Sequence, residues 1–236
     1  DRSPSRGLGD VYKRQIPNVT SHIEETNLKE NLKRLGRLFV KTDYLKSYSL
    51  VFINVFAVFM LVPYLSPYAV RNINIDETDL KYMYLIAGIF TVVSARTIGG
   101  MTDRYGSFRV MVFLLLASII PISIYTNAGE LSFFWFIALS IFFMTMISGR
   151  MIPLMTMISE IASKEDRGTF MGLLNSVRSL GSALATLFAG LLIVETESGA
   201  LEGFDKVGYV TISLSVFLVW GCKKVYEIML IKKENK

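Results

Sequence analysis

Residues 131–158 read LSFFWFIALSIFFMTMISGRMIPLMTMI, and the one charged side chain among them is Arg150. The stretch exceeds the roughly 20 helical residues, at about 1.5 Å rise each, that cross a hydrocarbon core about 30 Å thick. It lacks the strict alternation of a barrel strand. Backbone in lipid must satisfy its own hydrogen bonds, so the stretch reads as a membrane-spanning helix. Working outward, comparable apolar blocks occupy 48–68, 80–101, 108–126, 168–194 and 206–222. The predicted fold class is therefore all-α, a polytopic membrane helical bundle of about six transmembrane helices.

Composition agrees. Apolar residues make up 52% of the chain and charged residues 19%, too oily for an ordinary soluble domain. The polar breaks are short: an acidic turn from Asn72 to Asp79, charged turns at Asp103–Gly106 and Ser163–Gly168, a turn at Thr126–Glu130, and an acidic, Gly-containing loop from Glu195 to Asp205. The net charge of +5 could suggest nucleic acid, but its placement points to topology and to no nucleic-acid partner. Lys29, Lys33, Arg34, Arg37, Lys41 and Lys46 precede the first block. Arg104, Arg109, Lys164 and Arg167 lie in alternate turns, and Lys223, Lys224, Lys232, Lys233 and Lys236 follow the last block. All share one side. The opposite loops hold Arg71, Lys81 and Lys206 amid acids, so the positive-inside rule puts both ends in the cytoplasm of a plasma (inner) membrane protein. Phe133 to Phe136 and Trp220 sit at opposite interfaces as anchors.

Cys222 is the single cysteine and His22, outside every block, the single histidine. No internal disulfide, thiol metal cage or membrane-depth His dyad is available, so the expectation is no enzyme, no metal and no cofactor. The chain divides into 1–15, 16–47 as a cytoplasmic basic linker, 48–222 as the transmembrane domain, and 223–236 as a cytoplasmic basic tail. Within the linker, Leu28, Leu32, Leu35 and Leu38 recur at near-helical spacing, fitting a surface helix or a solvated loop. Residues 5–15, Ser-Arg-Gly-Leu-Gly-Asp-Val-Tyr-Lys-Arg-Gln, resemble a translated sequencing adaptor, and 1–15 are set aside as an artefact. Such a read-through implies that the sequence is a fragment whose natural chain begins further upstream.

Between the second and third blocks runs Gly99-Gly100-Met101-Thr102-Asp103-Arg104-Tyr105-Gly106. One Gly lets helix ends approach and another permits a tight reversal. The spacing Gly-x-x-x-Asp-Arg-x-Gly resembles the cytoplasmic loop motif of the major facilitator superfamily, with Ser107 and Phe108 in place of its two following basic residues and Arg109 next. Ser148-Gly149-Arg150-Met151-Ile152-Pro153, then Ser159-Glu160 and Asp166-Arg167-Gly168-Thr169-Phe170-Met171-Gly172, resemble spans ten and eleven of twelve-helix drug–proton antiporters of that superfamily. The resemblance covers about Lys29 to Lys224 and implies half of a major-facilitator fold, the carboxyl-terminal one. It further implies secondary active transport of a small solute by alternating access, coupled to protons as efflux, with a missing amino-terminal six-helix half as partner. Gly99, Asp103, Arg104, Gly106 and Arg109 would then form an inner gate loop, Asp103 and Arg104 pairing across the half interface. The N-terminus at Arg167-Gly168 would receive the equivalent loop. Arg150 aligns with the arginine of an Arg-x-x-Gln-Gly motif, with Pro153 and Leu154 in place of the Gln and Gly, and it stands with Arg178, Asn54 and Glu160 as a substrate or coupling candidate. A sugar or metabolite uniporter or importer, and a non-transporting scaffold, remain alternatives.

Physical chemistry marks its own candidates. Arg178 lies about ten residues into its block, about 15 Å deep. An arginine there costs on the order of 2.5–3.5 kcal/mol on insertion scales, so it is expected to face a cavity or a partner. Arg150 and Arg96 lie nearer the cytoplasm, within snorkelling reach. Glu160 is the nearest acid, and Asn54, Tyr48 and Tyr64 are candidate polar lining. Gly168, Gly172, Gly181, Ala185 and Ala189 suggest one small-residue packing stripe, while Pro63, Pro67, Pro121 and Pro153 are positioned to bend helices.

Overall fold

The computed structural model describes residues 28–234; the adaptor-like segment, His22 and the first part of the linker lie outside the described residues. The chain forms two units, Asp1–Leu38 and Phe39–Lys236. In the first, helix α1 (Leu28–Val40) begins, realising the leucine spacing as a helix with Lys33, Leu35 and Arg37 exposed.

The second unit is built of long helical rods. The first rod comprises α2 (Thr42–Phe59), a 3-10 turn (Val62–Tyr64) and α3 (Leu65–Arg71). The second is α4 (Leu80–Tyr105) and the third is α5 (Ser107–Ala117) with α6 (Ile119–Thr126). The fourth is α7 (Phe133–Gly149) with α8 (Met151–Ser159). The fifth is α9 (Arg167–Leu192) and the sixth α10 (Phe204–Glu234), joined by a hairpin of β1 (Val194–Glu195) and β2 (Leu201–Glu202). The protein is thus an all-α membrane bundle. Among the described residues, the first four rods are long and apolar enough by themselves to cross a membrane. The last two are 26 and 31 residues long, ample for a span, but Asn175, Arg178 and several serines dilute α9, while Asp205, Lys206, Lys223 and Lys224 dilute α10.

Prolines set the interruptions. A proline cannot donate to the carbonyl four residues back and its ring crowds that carbonyl. Pro121 and Pro153 therefore release the carbonyls of Ala117 and Gly149, and the regular helix is interrupted one residue later, at Ser118 and Arg150. Both residues keep α-region angles (φ −72°, ψ −14° and φ −58°, ψ −29°), so each rod continues through its interruption. Pro63 does the same for the first rod by way of the 3-10 turn. Gly106 joins α4 to α5 at φ 88°, ψ 145°, a conformation closed to other residues, which explains the glycine of the turn motif.

The ends of the rods are fastened separately. At one end the Lys232 ammonium lies 3.1 Å from Asp43 and donates to the Ile161 carbonyl at 3.2 Å. Tyr44 Oη accepts from the Ser163 amide and donates to Asp166, and Phe108 stacks on Tyr226. At the other end Arg71 pairs with Glu195 at 2.7 Å, and Tyr68 donates to the Ala128 carbonyl at 2.9 Å. Asn72 meets β2 as another strand would, donating to the Leu201 carbonyl and accepting from its amide, each at 3.0 Å. Asp76, on the same side, caps its turn by accepting from the Thr78 amide and hydroxyl, which hold its carboxyl below the usual carboxylate range. The even-numbered turns thus gather with both chain ends of the rods, and the odd-numbered turns gather opposite.

Removing the side chain in Asn72→Ala strands one amide and one carbonyl of Leu201. The expected cost is about 1–3 kcal/mol, read as a lowered unfolding midpoint in detergent. An unchanged midpoint would show that the hairpin is held by other contacts.

Candidate functional site

Rods one, four and five line a half-open cavity of about 620 Å³. From α9 come Asn175, Arg178, Ser179 and Ser182, which recur at i, i+3, i+4 and i+7 and so share one helix face. From α2 and its extension come Asn54, Val55, Val58, Phe59 and Val62, and the fourth rod adds Met144, Ile147, Ser148 and Met151 around its interruption. Arg178 is half-buried and forms no ion pair or hydrogen bond among the described residues. Asn54 is 1% exposed; its amide nitrogen reaches Met151 Sδ at 3.5 Å, while its Oδ1 has no partner among the described residues. The Arg178 guanidinium and the Asn54 side chain, whose buried Oδ1 is unmet, therefore border the same space.

Arg150 behaves differently. The expectation that it snorkels is corrected: the side chain is 0% exposed and turns into the bundle at the interruption of the fourth rod. Its Nη1 donates to Ser215 of α10 at 3.1 Å and its Nη2 donates to Ser118, the residue at the interruption of the third rod. Both hydroxyl protons are already committed, Ser118 to the Leu115 carbonyl and Ser215 to the Thr211 carbonyl, so lone pairs are left to accept from the guanidinium. One arginine thereby ties the interruptions of two rods to a third rod. Its Nε remains without a partner among the described residues.

The other sequence candidates scatter. Asp103 and Arg104 are exposed at the end of α4, Arg104 resting over the Tyr105 ring, and neither forms an ion pair among the described residues. Arg109 is exposed in the first turn of α5 rather than drawn into the cavity, and Arg96 on α4 lies outside the lining as well. Glu160 caps the end of α8, half-buried and outside the cavity lining. Tyr48 is packed between Phe39 and Phe170, and Tyr64 lies against Gly190; neither lines the cavity.

The single packing stripe is also corrected. Nine residues separate Gly172 from Gly181, about two and a half turns, which places them on opposite faces of α9. Gly181 meets the Phe52 backbone, and Ala185 and Ala189 are 0% exposed. Gly168 and Gly172, by contrast, have no neighbour within 4 Å of the place a β-carbon would take, and they fall on the face of Asn175 and Ser179. A β-carbon at Gly99 would likewise meet nothing within 4 Å, so the close approach expected there is not made among the described residues. Sequence reasoning missed Ser148, Asn175, Ser179 and Ser182 as lining, though the polar spacing on α9 was there to reveal three of them. Nothing in the spacing singled out Ser118 and Ser215.

Removing either hydroxyl leaves a buried charge short of an acceptor. Ser118→Ala and Ser215→Ala are each expected to cost about 1–3 kcal/mol in unfolding stability. The loss should shrink in an Arg150→Met background, because the charge that needs the acceptor is gone. Equal losses in both backgrounds, measured as a double-mutant cycle, would disprove the brace.

A profile of the Major Facilitator Superfamily matches residues 48–221, which contain the cavity and every rod apart from the outermost turns of α2 and α10. Among curated proteins the chain is similar to the proton-coupled antiporter flippase LtaA of Staphylococcus aureus strains USA300, NCTC 8325 / PS 47 and COL. Each is 27% identical over 143 residues, 58% of this chain and 35% of the relative, so the match spans about a third of those relatives' length. Taken with the helical membrane bundle, the profile match places this chain in the Major Facilitator Superfamily.

Proposed function

We propose that the protein is a secondary active transporter that moves a small solute by alternating access and works as a proton-coupled exporter. The observation that carries this reading is Arg178, a guanidinium at membrane depth facing a cavity with no partner among the described residues. A scaffold has no use for so costly a group, whereas a transport site lets water and solute solvate it. Family membership points to transport rather than catalysis. Proton coupling is supported by the LtaA relatives, which are named proton-coupled antiporters. Because the match spans 35% of those relatives, activity belongs to the whole protein, with this bundle supplying one wall of a cavity completed by a second six-helix bundle.

On this reading residues 48–222 are the transporting domain, 16–47 and 223–236 are cytoplasmic basic segments, and the basic turns face the cytoplasm of a plasma membrane. Asp103 and Arg104, exposed and without an ion-pair partner among the described residues, serve an inner gate with Gly99, Gly106 and Arg109. Arg178 and Asn54 bind solute. Arg150 and Pro153 shape the fourth rod, and Glu160 remains a coupling candidate at its end.

Two substitutions separate gate from cavity in proteoliposomes holding the full-length protein under a proton gradient. Asp103→Asn should lower turnover about tenfold with little change in the half-saturating concentration, since a gate acts on conformational exchange. Arg178→Gln should raise the half-saturating concentration by a similar factor. Unchanged transport in Asp103→Asn, with unchanged conformational populations, would remove the gate role. Solute movement indifferent to the proton gradient would instead favour a uniporter.

A further inference from the structure

The cavity has two chemically different walls. The α9 wall presents Asn175, Arg178, Ser179 and Ser182, so every lining side chain that α9 supplies is polar, and Arg178 is the one ionisable group among the cavity's lining residues. Facing it, α2 and its extension present Val55, Val58, Phe59 and Val62, and α7 adds Met144 and Ile147. Ser182 Oγ spends its proton on the Ser179 carbonyl, so its lone pairs remain as acceptors. Asn54 Oδ1, buried and unmet at the edge of the apolar wall, also calls for a donor. A ligand that satisfies all of these must carry an anion for Arg178, hydroxyl or amide protons for Asn54 and Ser182, and an apolar body for the α2 wall.

We propose that this cavity takes an amphiphile whose anionic, hydroxyl-bearing head lies on the α9 wall and whose single apolar tail lies along α2 and α7. The inference deepens the transport reading by naming the substrate class, and it rests on that reading. A small hydrophilic anion would leave the valine and phenylalanine wall in contact with water. A lipophilic cation would face Arg178 with no carboxylate among the lining residues to compensate it. The amphiphile meets both demands. The fifth rod presents Gly168 and Gly172 on the same face as Asn175 and Ser179, with open space where their side chains would be.

The test is binding to the purified full-length protein in a neutral maltoside detergent, by ligand-induced shift of the unfolding midpoint at several concentrations. Three probes separate head charge from tail: lysophosphatidylglycerol, the monoacylglycerol of the same chain length, and glycerol 3-phosphate. The wild-type protein is expected to prefer lysophosphatidylglycerol over each of the others by about tenfold or more, the value of a charge-assisted contact or of a buried tail. Arg178→Gln should abolish the preference over monoacylglycerol, while Arg178→Lys should retain part of it. Asn54→Val should weaken both lipids alike.

Equal wild-type affinity for lysophosphatidylglycerol and monoacylglycerol would overturn the anionic head, and equal affinity for glycerol 3-phosphate would overturn the tail. Either result leaves the transport cavity standing. A Ser182→Trp variant, which fills the space, tells the two levels apart. If it binds every probe as the wild type does, the cavity is not the binding site, and both the substrate class and the site assignment fall.

Discussion

A guanidinium does not lose its charge in a protein, so an arginine at membrane depth must be given acceptors or water. Arg150 and Arg178 meet that demand in opposite ways. Arg150 is sealed at 0% exposure between Ser118 and Ser215, hydroxyls whose protons are already spent on helix carbonyls. Arg178 is left facing a cavity of about 620 Å³ without a partner among the described residues. The first solution fixes structure. The second creates a site that is satisfied when water or a ligand enters it. Met151 and Ser148 flank Arg150 in sequence and line the cavity, so the brace on one side of the fourth rod holds in place a wall on its other side.

The distribution of strong contacts follows the same logic. Ion pairs and hydrogen bonds fasten the rods at their ends, through Lys232 with Asp43 at one end and through Asn72 with Leu201 and Arg71 with Glu195 at the other. Between those fastenings lie the proline-linked interruptions at Ser118 and Arg150, each beside a carbonyl, Ala117 or Gly149, that a proline leaves without its ladder donor. A rod held at its ends and interrupted near its middle concentrates any bending beside the cavity. In a family that works by rocking helical bundles around a central site, deformation is needed there and fastening elsewhere.

Much of this was legible in the sequence because lipid leaves little choice. Apolar blocks of sufficient length and the alternation of basic and acidic turns foretold the rods and their segregated ends. Gly106 announced its turn, since its backbone conformation suits glycine alone. Arg178 stood out because its cost is high wherever it points. Partnerships across the bundle were not legible. Ser118 and Ser215 lie 32 and 65 residues from Arg150, and serines occur throughout the spans without marking themselves as acceptors. The small-residue stripe on α9 failed for a different reason. Two runs with spacing four look continuous in sequence, but the nine-residue gap between Gly172 and Gly181 rotates the second run to the far face. Tracking helical phase, rather than spacing alone, would have separated the packing face from the cavity face and exposed Asn175, Ser179 and Ser182.

In the transport cycle proposed, Arg178 lines a space that opens to water on either side of the membrane in turn. The most direct measurement is labelling of Arg178→Cys, in a full-length Cys222→Ala background, by a membrane-impermeant thiol reagent applied from one side and then the other. Modification is expected from both sides, with the balance between them shifting when a proton gradient is imposed. A thiol that stays unmodified from both sides in the folded protein would contradict that cycle, because Arg178 would then be sealed as Arg150 is.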